Sequence, residues 1–191
     1  FRTISSQVAF TAEAHTTISY LHPHAPALLV ASLLLDHKIL HRKIREQGGA
    51  YGCGATYGST LGQFVFHSFR DPHIASTLST FQESIDIIAH GEFNDQDLEE
   101  AKLGIIQQFD IPISPGSRAI TAYAWLRDGK SHAMRQQFRE RLLALTHKDI
   151  VHAVEMHLLP LKSKGVIVSF AGKDQCEREH TLLPQIPILS I

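Results

Sequence analysis

One arginine and one tyrosine, six positions apart, are the side chains in this sequence whose types and spacing best suit chemistry. Between these two residues, Arg45 and Tyr51, lies a run of small residues, namely Gly48, Gly49 and Ala50. A guanidinium and a phenol are strong hydrogen-bond donors, and glycines leave the backbone bare enough for another chain to approach. The segment therefore predicts a surface that hydrogen-bonds the backbone carbonyls of an extended peptide. The alternative is that Arg45 is a solvated cation at a helix end while Tyr51 packs in a sheet.

Two elements must bring these side chains together. From Pro26 to Arg45 the apolar residues follow a helical period, and cations crowd the last turns, where the helix dipole favours them. The glycines then end the helix. Strands are expected over 50–57 and 63–69, joined by a glycine-containing hairpin. Arg45 is thus predicted at a helix end and Tyr51 at the start of a strand.

The rest of the sequence alternates strand-like and helix-like patterns. Further strands are predicted over 7–12 and 165–171, and further helices over 71–91, from Asn94, from Ser114, over 131–145 and over 146–159. Asp71 is expected to cap the first of these helices, with Pro72 at its first helical position. The strand over 63–69 is apolar on both faces, which predicts a central place in its sheet.

This order of elements predicts an α+β fold with a mainly antiparallel sheet and helices packed on one face. Residues 1–191 are expected to form a single domain with an irregular tail over 182–191. Because the chain begins at Phe1 rather than at a methionine, it is expected to be either a processed protein or an excerpt of a longer one.

The charge and composition argue against two classes of partner. The formal net charge is −1, which gives no general attraction to nucleic acid or to an anionic membrane. The longest apolar stretch, Ala25–Leu35, is far shorter than the roughly 18 residues of a membrane span.

The two cysteines, Cys53 and Cys176, lie far apart in no metal-type spacing. A reducing compartment is therefore expected, with a single disulfide as the alternative.

The 13 histidines raise the question of a zinc site. His152 and His157 lie five positions apart on a predicted helix, whereas zinc-binding helices place ligands three or four residues apart on one face. His22 and His24 flank Pro23 in a turn, and no third ligand is expected near them. Neither the His-x-x-Glu-His order nor its inverse occurs in the sequence. We therefore expect that this chain binds no catalytic metal.

The glycine-rich motif resembles the C-terminal region of presequence proteases, which are zinc metallopeptidases of the pitrilysin and insulysin superfamily. The likeness is carried by Ile39–Gly52, by the Ser-Phe-Arg-Asp-Pro corner within Phe66–Pro72 and by the acidic helix at Asp97–Lys102. The order and spacing of these landmarks match over about 8–172. Cys53 departs from the family pattern, which often continues with glycine at that position.

The resemblance implies that the chain is the last domain of a longer enzyme. Family members have four related α+β domains arranged as two halves around a closed chamber, and their zinc site lies in the first domain. The last domain supplies an arginine and a tyrosine that hold the substrate backbone, roles that fall to Arg45 and Tyr51. Gly48, Gly49 and Ala50 are then expected to contact the substrate.

The same resemblance sets the expected cofactor, partners and location. Zinc is expected in the full-length enzyme, bound by a domain outside this chain, so the isolated chain is expected to be inactive. The expected partners are unfolded peptide substrates and the N-terminal domains of the same protein. The expected location is a bacterial cytoplasm or an organelle matrix.

Two alternatives stay open. The superfamily also includes non-catalytic scaffold subunits of respiratory complexes and inactive processing-peptidase partners. The retained spacing of Arg45 and Tyr51 argues for activity, because a scaffold has no chemical need for the pair. The second alternative is a free-standing module that binds extended peptides without cutting them.

Overall fold

The structure is a computed structural model that describes residues 1–190. The strands are β1 (Arg2–Thr3), β2 (Ala9–Thr16), β3 (Gly52–Gly58), β4 (Gln63–Asp71), β5 (Val166–Ala171) and β6 (Leu189–Ser190). The α-helices are α1 (Ala25–Leu34), α2 (Ala75–Ala89), α3 (Asp95–Phe109), α4 (Arg118–Arg127), α5 (His132–Ala144), α6 (His147–His157) and α7 (Lys173–His180). A π-helix over Leu35–Gln47 continues α1, and short 3-10 turns lie at Pro115–Ser117 and Leu159–Leu161.

Within the described residues, six strands form one sheet in the order β3-β4-β2-β5-β1-β6. The three long pairings, β3 with β4, β4 with β2 and β2 with β5, are antiparallel. The two-residue strands β1 and β6 join in parallel, β1 to β5 and β6 to β1. The predicted α+β fold with a mainly antiparallel sheet is confirmed. The central place predicted for β4 is also confirmed, since β4 lies between β3 and β2.

One face of the sheet is packed under helices and the opposite face is open. Side chains alternate across each strand, so Phe64 and Phe66 of β4 point to the packed face, where both are fully buried. The Phe66 ring stacks on Phe81 of α2 with ring centroids 5.2 Å apart. The open face carries apolar side chains that are 37–70% exposed, namely Phe10, Phe69, Val166, Val168 and Phe170. The packing of helices on one face thus agrees with the prediction.

Helix α1 lies in the middle of the helical layer. Eight of its ten residues are buried, because it contacts α3, α5, α6 and β3. A helix that is apolar all round can lie only in such a place. The predicted helix from Pro26 to Arg45 is continuous, but it is α-helical only as far as Leu34 and π-helical from Leu35. The buried α1 thereby fixes the direction of the π-helix, whose last turn carries Arg45.

The predicted start of α2 is wrong. Asp71 belongs to β4 and Pro72 lies outside any helix, whereas α2 begins at Ala75. The carboxylate of Glu179, in α7, accepts hydrogen bonds from the backbone N–H groups of Ile74 and Ala75 at 3.2 and 2.9 Å. The first turn of α2 is therefore capped by a residue far away in sequence. The Asp71 carboxylate bonds the turn that precedes the helix.

Other predicted helix starts are confirmed. Asn94 forms a capping box with Asp97 at the start of α3, and Thr146 forms one with Asp149 at the start of α6. The expected helix from Ser114 begins instead as a 3-10 turn and becomes α-helical only at Arg118. Within the described part of the chain, every helix is too short or too polar to span a bilayer.

The C-terminal part of the chain differs from its prediction. Helix α7 precedes the expected irregular tail over 182–191 and was not predicted from the sequence. Inside that tail, Leu189–Ser190 form β6 and pair with β1, so the tail is not irregular throughout. Its last residue, Ile191, lies outside the described residues.

Candidate functional site

A cleft of about 580 Å³ opens where the π-helix ends and β3 begins. It is lined by His41, Arg45, Glu46, Gly49, Ala50, Tyr51 and Arg70. Four of the five residues that the sequence singled out therefore share one cleft, and the fifth, Gly48, is not part of its lining. Three lining residues, His41, Glu46 and Arg70, were not predicted.

The turn after the π-helix explains how the cleft forms. Gly49 has φ of 80°, and its N–H donates to the carbonyl of Arg45 at 3.1 Å. The next N–H, that of Ala50, donates to the carbonyl of Ile44, also at 3.1 Å. These two hydrogen bonds form the pattern of a Schellman motif, except that each spans one residue more than usual. The extra residue arises because the last turn of the helix is π-helical. A Cβ on Gly48 would lie 2.6 Å from the Ile44 carbonyl oxygen, so the close turn requires glycine there.

Arg45 lies exposed on the helix side of the cleft and is held there by a neighbour. Its Nη1 atom is 2.8 Å from Nε2 of His41, and Nδ1 of His41 is 3.4 Å from the carboxylate of Glu46. A guanidinium can only donate hydrogen bonds, so Nε2 of His41 is the acceptor. The ring proton of His41 is therefore on Nδ1, which faces Glu46. A guanidinium has five N–H donors, so Arg45 keeps donors for a ligand in the cleft. The four-residue spacing of His41 and Arg45 on one helix was the signal in the sequence.

Tyr51 forms the opposite side of the cleft and is 63% exposed. Its ring packs edge-on against Phe69, with centroids 5.5 Å apart. The guanidinium of Arg70 lies 5.3 Å from the centre of the same ring. Tyr51 is thus supported at its ring and open to solvent, as a side chain that binds a ligand must be.

Arg70 brings a second guanidinium to the cleft. Its φ is 50°, a conformation that costs a non-glycine residue free energy and that often occurs at functional sites. Its carbonyl accepts from the N–H of Tyr51 at 3.3 Å, which ties the end of β4 to the residue before β3. The sequence suggested only a helix cap for this corner, and no local pattern reveals the strained backbone.

The two residues after Tyr51, Gly52 and Cys53, serve the packing of β3 and offer no reactive group to the cleft. A Cβ on Gly52 would lie 2.2 Å from the Phe69 ring, so glycine is needed for Phe69 to reach Tyr51. Burial raises the pKa of the Cys53 thiol to about 11, helped by the carboxylates of Asp36 and Asp71. Cys53 is therefore a protonated thiol at neutral pH and a poor nucleophile. Both cysteines of the chain are free.

The cleft offers donors for carbonyl groups but a poor set of metal ligands. His41 and Glu46 are its only side chains of metal-ligating type, and Nε2 of His41 is already occupied by its hydrogen bond with Arg45. Zinc does not fit this cleft, because catalytic zinc sites use three protein ligands. The prediction that no third ligand lies near His22 and His24 is wrong, however. The side chain of His157 lies beside them at the start of α1, at the end of this helix that is far from the cleft.

Comparison with known proteins identifies the family of this chain. The family model described as PreP C-terminal domain matches residues 2–173. This chain belongs to that family. Among relatives of this PreP C-terminal domain, the mitochondrial presequence protease of Kluyveromyces lactis is 40% identical over 163 residues, which is 85% of this chain and 16% of that protein. The mitochondrial presequence protease of Xenopus tropicalis is 40% identical over 155 residues, 81% of this chain and 15% of that protein.

A solved structure shares the fold. The crystal structure of a protease from Helicobacter pylori superposes on this PreP C-terminal domain with a TM-score of 0.75 and 15% identity, covering 90% of this chain and 42% of that one. At this identity the likeness concerns the fold alone. The domain spans about a sixth of the length of the two presequence proteases.

Proposed function

We propose that this chain is the C-terminal, substrate-binding domain of a zinc metalloendopeptidase that degrades unfolded peptides inside a closed chamber. One observation carries the proposal: two exposed hydrogen-bond donors, Arg45 and Tyr51, line the same cleft in a member of the PreP C-terminal domain family. The two relatives from Kluyveromyces lactis and Xenopus tropicalis are named proteases, which supports hydrolysis of peptides as the reaction of the whole protein.

In the proposed mechanism this chain binds and polarises the peptide backbone. A zinc ion held by another domain would supply the activated water that attacks the scissile carbonyl. Tyr51 donates its hydroxyl proton in a hydrogen bond to the carbonyl oxygen as negative charge develops there. Arg45 donates to the neighbouring carbonyl and fixes the register of the peptide. Such donors are worth most in the transition state, where losing one costs about 2.7–4 kcal/mol.

The backbone beside the cleft suits an extended peptide. Strand β3 forms one edge of the sheet and begins directly after Tyr51. An extended peptide that adds to a sheet edge gains main-chain hydrogen bonds regardless of its sequence. Gly49 and Ala50 line the cleft between the two donors, and the absence of large side chains there lets a peptide backbone approach. This arrangement supports broad recognition of unfolded peptides.

The open face of the sheet supports a place inside a larger protein. Phe69 contacts Tyr51 in the cleft and pairs across the sheet with Phe10, which in turn pairs with Phe170. Their partly exposed rings form an apolar surface continuous with the cleft. We propose that this surface faces the chamber and that the N-terminal domains of the same protein close it. The two relatives above are named mitochondrial, and we extend an organelle location to the parent protein.

The roles of Arg45 and Tyr51 are tested in the full-length protein. Arg45→Lys and Tyr51→Phe should each lower the turnover of an unstructured peptide at least tenfold, without lowering the unfolding temperature, since both side chains are exposed. Arg118→Lys and Tyr123→Phe are matched controls, because they make the same exchanges on exposed positions of α4. Unchanged hydrolysis in both cleft variants would remove the proposed roles.

A second test distinguishes a domain of a peptidase from a free-standing peptide-binding module and from a non-catalytic scaffold. The isolated chain should cleave no peptide with or without added zinc. Calorimetry with an unstructured peptide should give binding far weaker than micromolar, because the cleft is only one wall of the proposed site. Micromolar binding without cleavage would favour the free-standing peptide-binding module. A full-length protein that is inactive with an intact cleft would favour the non-catalytic scaffold.

A further inference from the structure

Three imidazoles from two distant parts of the chain meet at the start of α1. His22 and His24 come from the turn before this helix, and His157 is the last residue of α6. One nitrogen from each ring lies within 4.8 Å of the other two. Nδ1 of His24 is only 2.9 Å from Nε2 of His157. All three side chains are half-buried, so the group is shielded yet reachable from solvent.

The fold holds the backbones of these residues in place. His24 is the N-cap residue of α1, and its carbonyl accepts the first hydrogen bond of that helix, from Leu28 at 3.1 Å. The carbonyl of His157 accepts from the hydroxyl of Thr17 at 3.1 Å, which anchors the end of α6 beside β2. Helices α1 and α6 pack directly against each other. The backbones of His24 and His157 are therefore anchored close to each other.

The distances are close to those of a metal site. Four nitrogens around tetrahedral zinc lie about 3.3 Å apart, given Zn–N bonds of about 2.0–2.1 Å. Nδ1 of His24 and Nε2 of His157 are already closer than that spacing. The largest nitrogen–nitrogen distance in the group, at most 4.8 Å, need shorten by only about 1.5 Å. Burial lowers the pKa of both His24 and His157, and the neighbouring imidazoles lower it further. Imidazole binds metals in its unprotonated form.

We propose that His22, His24 and His157 bind a divalent transition-metal ion of the kind that prefers imidazole, such as Zn²⁺. Three imidazoles leave the fourth tetrahedral position to a water molecule. The bound ion would join the turn before α1 to the end of α6, which are 133 residues apart for the His24–His157 pair. The site thereby acts as a cross-link that stabilises the folded chain.

Metal binding replaces two hydrogen bonds of the metal-free chain. The proton between Nδ1 of His24 and Nε2 of His157 must move to the other nitrogen of the ring that carries it, because both facing nitrogens are needed as ligands. Nδ1 of His22 accepts from the backbone N–H of His24 at 3.1 Å. This hydrogen bond is lost in either case. If Nδ1 of His22 binds the ion, its lone pair is no longer free to accept. If Nε2 binds the ion, the ring proton moves to Nδ1, which then cannot accept. Binding should therefore change the tautomers of the rings without a net release of protons from neutral imidazoles, and it should fall in strength at low pH, where the imidazoles are protonated.

The charges around the three histidines favour a bound cation on the side formed by α6. The C-terminal end of α6 presents the negative end of the helix dipole at His157. Asp149 lies close enough to His24 and His152 to interact with both. His152 reaches the same group, with its ring 5.2 Å from that of His24. Two histidines five positions apart on α6 thus both contact His24, which sits between them.

The proposal is tested by titrating the metal-free chain with Zn²⁺ and Co²⁺. The unaltered chain should bind one ion and give the strong visible absorption of tetrahedral Co²⁺. At a hundredfold excess over the dissociation constant, Zn²⁺ should raise the unfolding temperature by about 5–10 °C. His24→Gln and His157→Gln should each weaken binding at least about tenfold. His132→Gln, an exposed histidine on α5, is the control and should leave binding unchanged.

Two results would overturn the proposal. One is the absence of saturable binding by the unaltered chain, and the other is equal affinity of the unaltered chain and His157→Gln. Circular dichroism without metal shows whether each variant folds. If a variant does not fold, NMR of the imidazole resonances in the unaltered chain decides instead. Zn²⁺ should then shift the resonances of His22, His24 and His157, and shifts confined to other histidines would refute the site.

Discussion

Nη1 of Arg45 lies 2.8 Å from Nε2 of His41, four residues earlier on the same helix. This contact directs the guanidinium along the wall of the cleft, and Glu46 in turn holds the other side of the imidazole. His41 is therefore a positioning residue: its contact is with Arg45, and its effect on a bound peptide passes through that side chain.

His41→Ala in the full-length protein should lower kcat/KM by about two- to tenfold, the usual worth of one hydrogen bond. His41→Gln should recover most of this loss, because the glutamine side-chain oxygen can accept from Arg45. His37→Ala removes an exposed histidine one turn earlier and serves as the control. Steady-state kinetics on an unstructured peptide measures all three. Equal rates for His41→Ala and His41→Gln would show that the hydrogen bond has no part in positioning Arg45.

Gly49 is the residue at which the chain turns from the π-helix towards β3. Its φ of 80° is costly for residues with a side chain, whereas the space around it is open, with only Pro72 at 3.8 Å from an added Cβ. Gly49→Ala should therefore destabilise the fold by about 1–2 kcal/mol through the backbone alone. Gly49→Asn should cost less, since asparagine tolerates the left-handed region.

Urea denaturation measures this difference. Gly116→Ala is the matched control, because no atom lies within 4 Å of its added Cβ and its φ is not positive. Equal stability of Gly49→Ala and Gly116→Ala would contradict the assigned role of the turn.

Gly52 and Phe69 are paired across β3 and β4, and the ring of Phe69 occupies the space above the glycine. An added Cβ would lie 2.2 Å from that ring, so Gly52→Ala must displace Phe69 and with it the support of Tyr51. The expected cost is about 1–3 kcal/mol of stability, as for other overpacked sites. Gly52→Ala combined with Phe69→Leu should restore part of it, because the smaller side chain vacates the space. Additive costs in the double variant would rule out the steric explanation.

The placement of Arg45 and Tyr51 around one cleft could be predicted from the sequence, whereas their roles stay a prediction. Arg45, Gly49 and Tyr51 lie within seven consecutive positions, and helix period, glycine stop and strand alternation are all short-range signals. A short segment with such signals can form only a few shapes, so two donors at its ends were expected to share a cleft. The position of His41 could have been read from its four-residue spacing to Arg45.

The parts that were missed depend on contacts between distant segments. Arg70 joins the cleft only because β4 pairs with β3 in one register and ends in a left-handed residue. Glu179 caps α2 from more than 100 positions away, and His157 reaches His24 from 133 positions away. No local pattern encodes such pairs. The two-residue β1 is too short to show alternation, and α7 is too polar to show a helical apolar stripe.

The thiol of Cys53 gives the last prediction. Burial, with help from Asp36 and Asp71, raises its pKa from the usual 9.0 to about 11. The folded chain thus keeps this proton between pH 9 and about 11, where the unfolded chain loses it, so the thiol's contribution to stability is lost as the pH rises through that range. Alkylation reports the same shift more directly, because only the thiolate reacts.

The alkylation rate of Cys53 with iodoacetamide should rise about tenfold per pH unit from pH 8 to 10, without the plateau near pH 9 that a free thiol shows. At pH 8 the rate should be about tenfold below that of glutathione, because scarcity of thiolate outweighs its greater basicity. Cys53→Ala is the control, since the remaining thiol, Cys176, is fully buried and should not react. A plateau near pH 9 would show that Cys53 is solvated, which contradicts the packing of β3 against the π-helix.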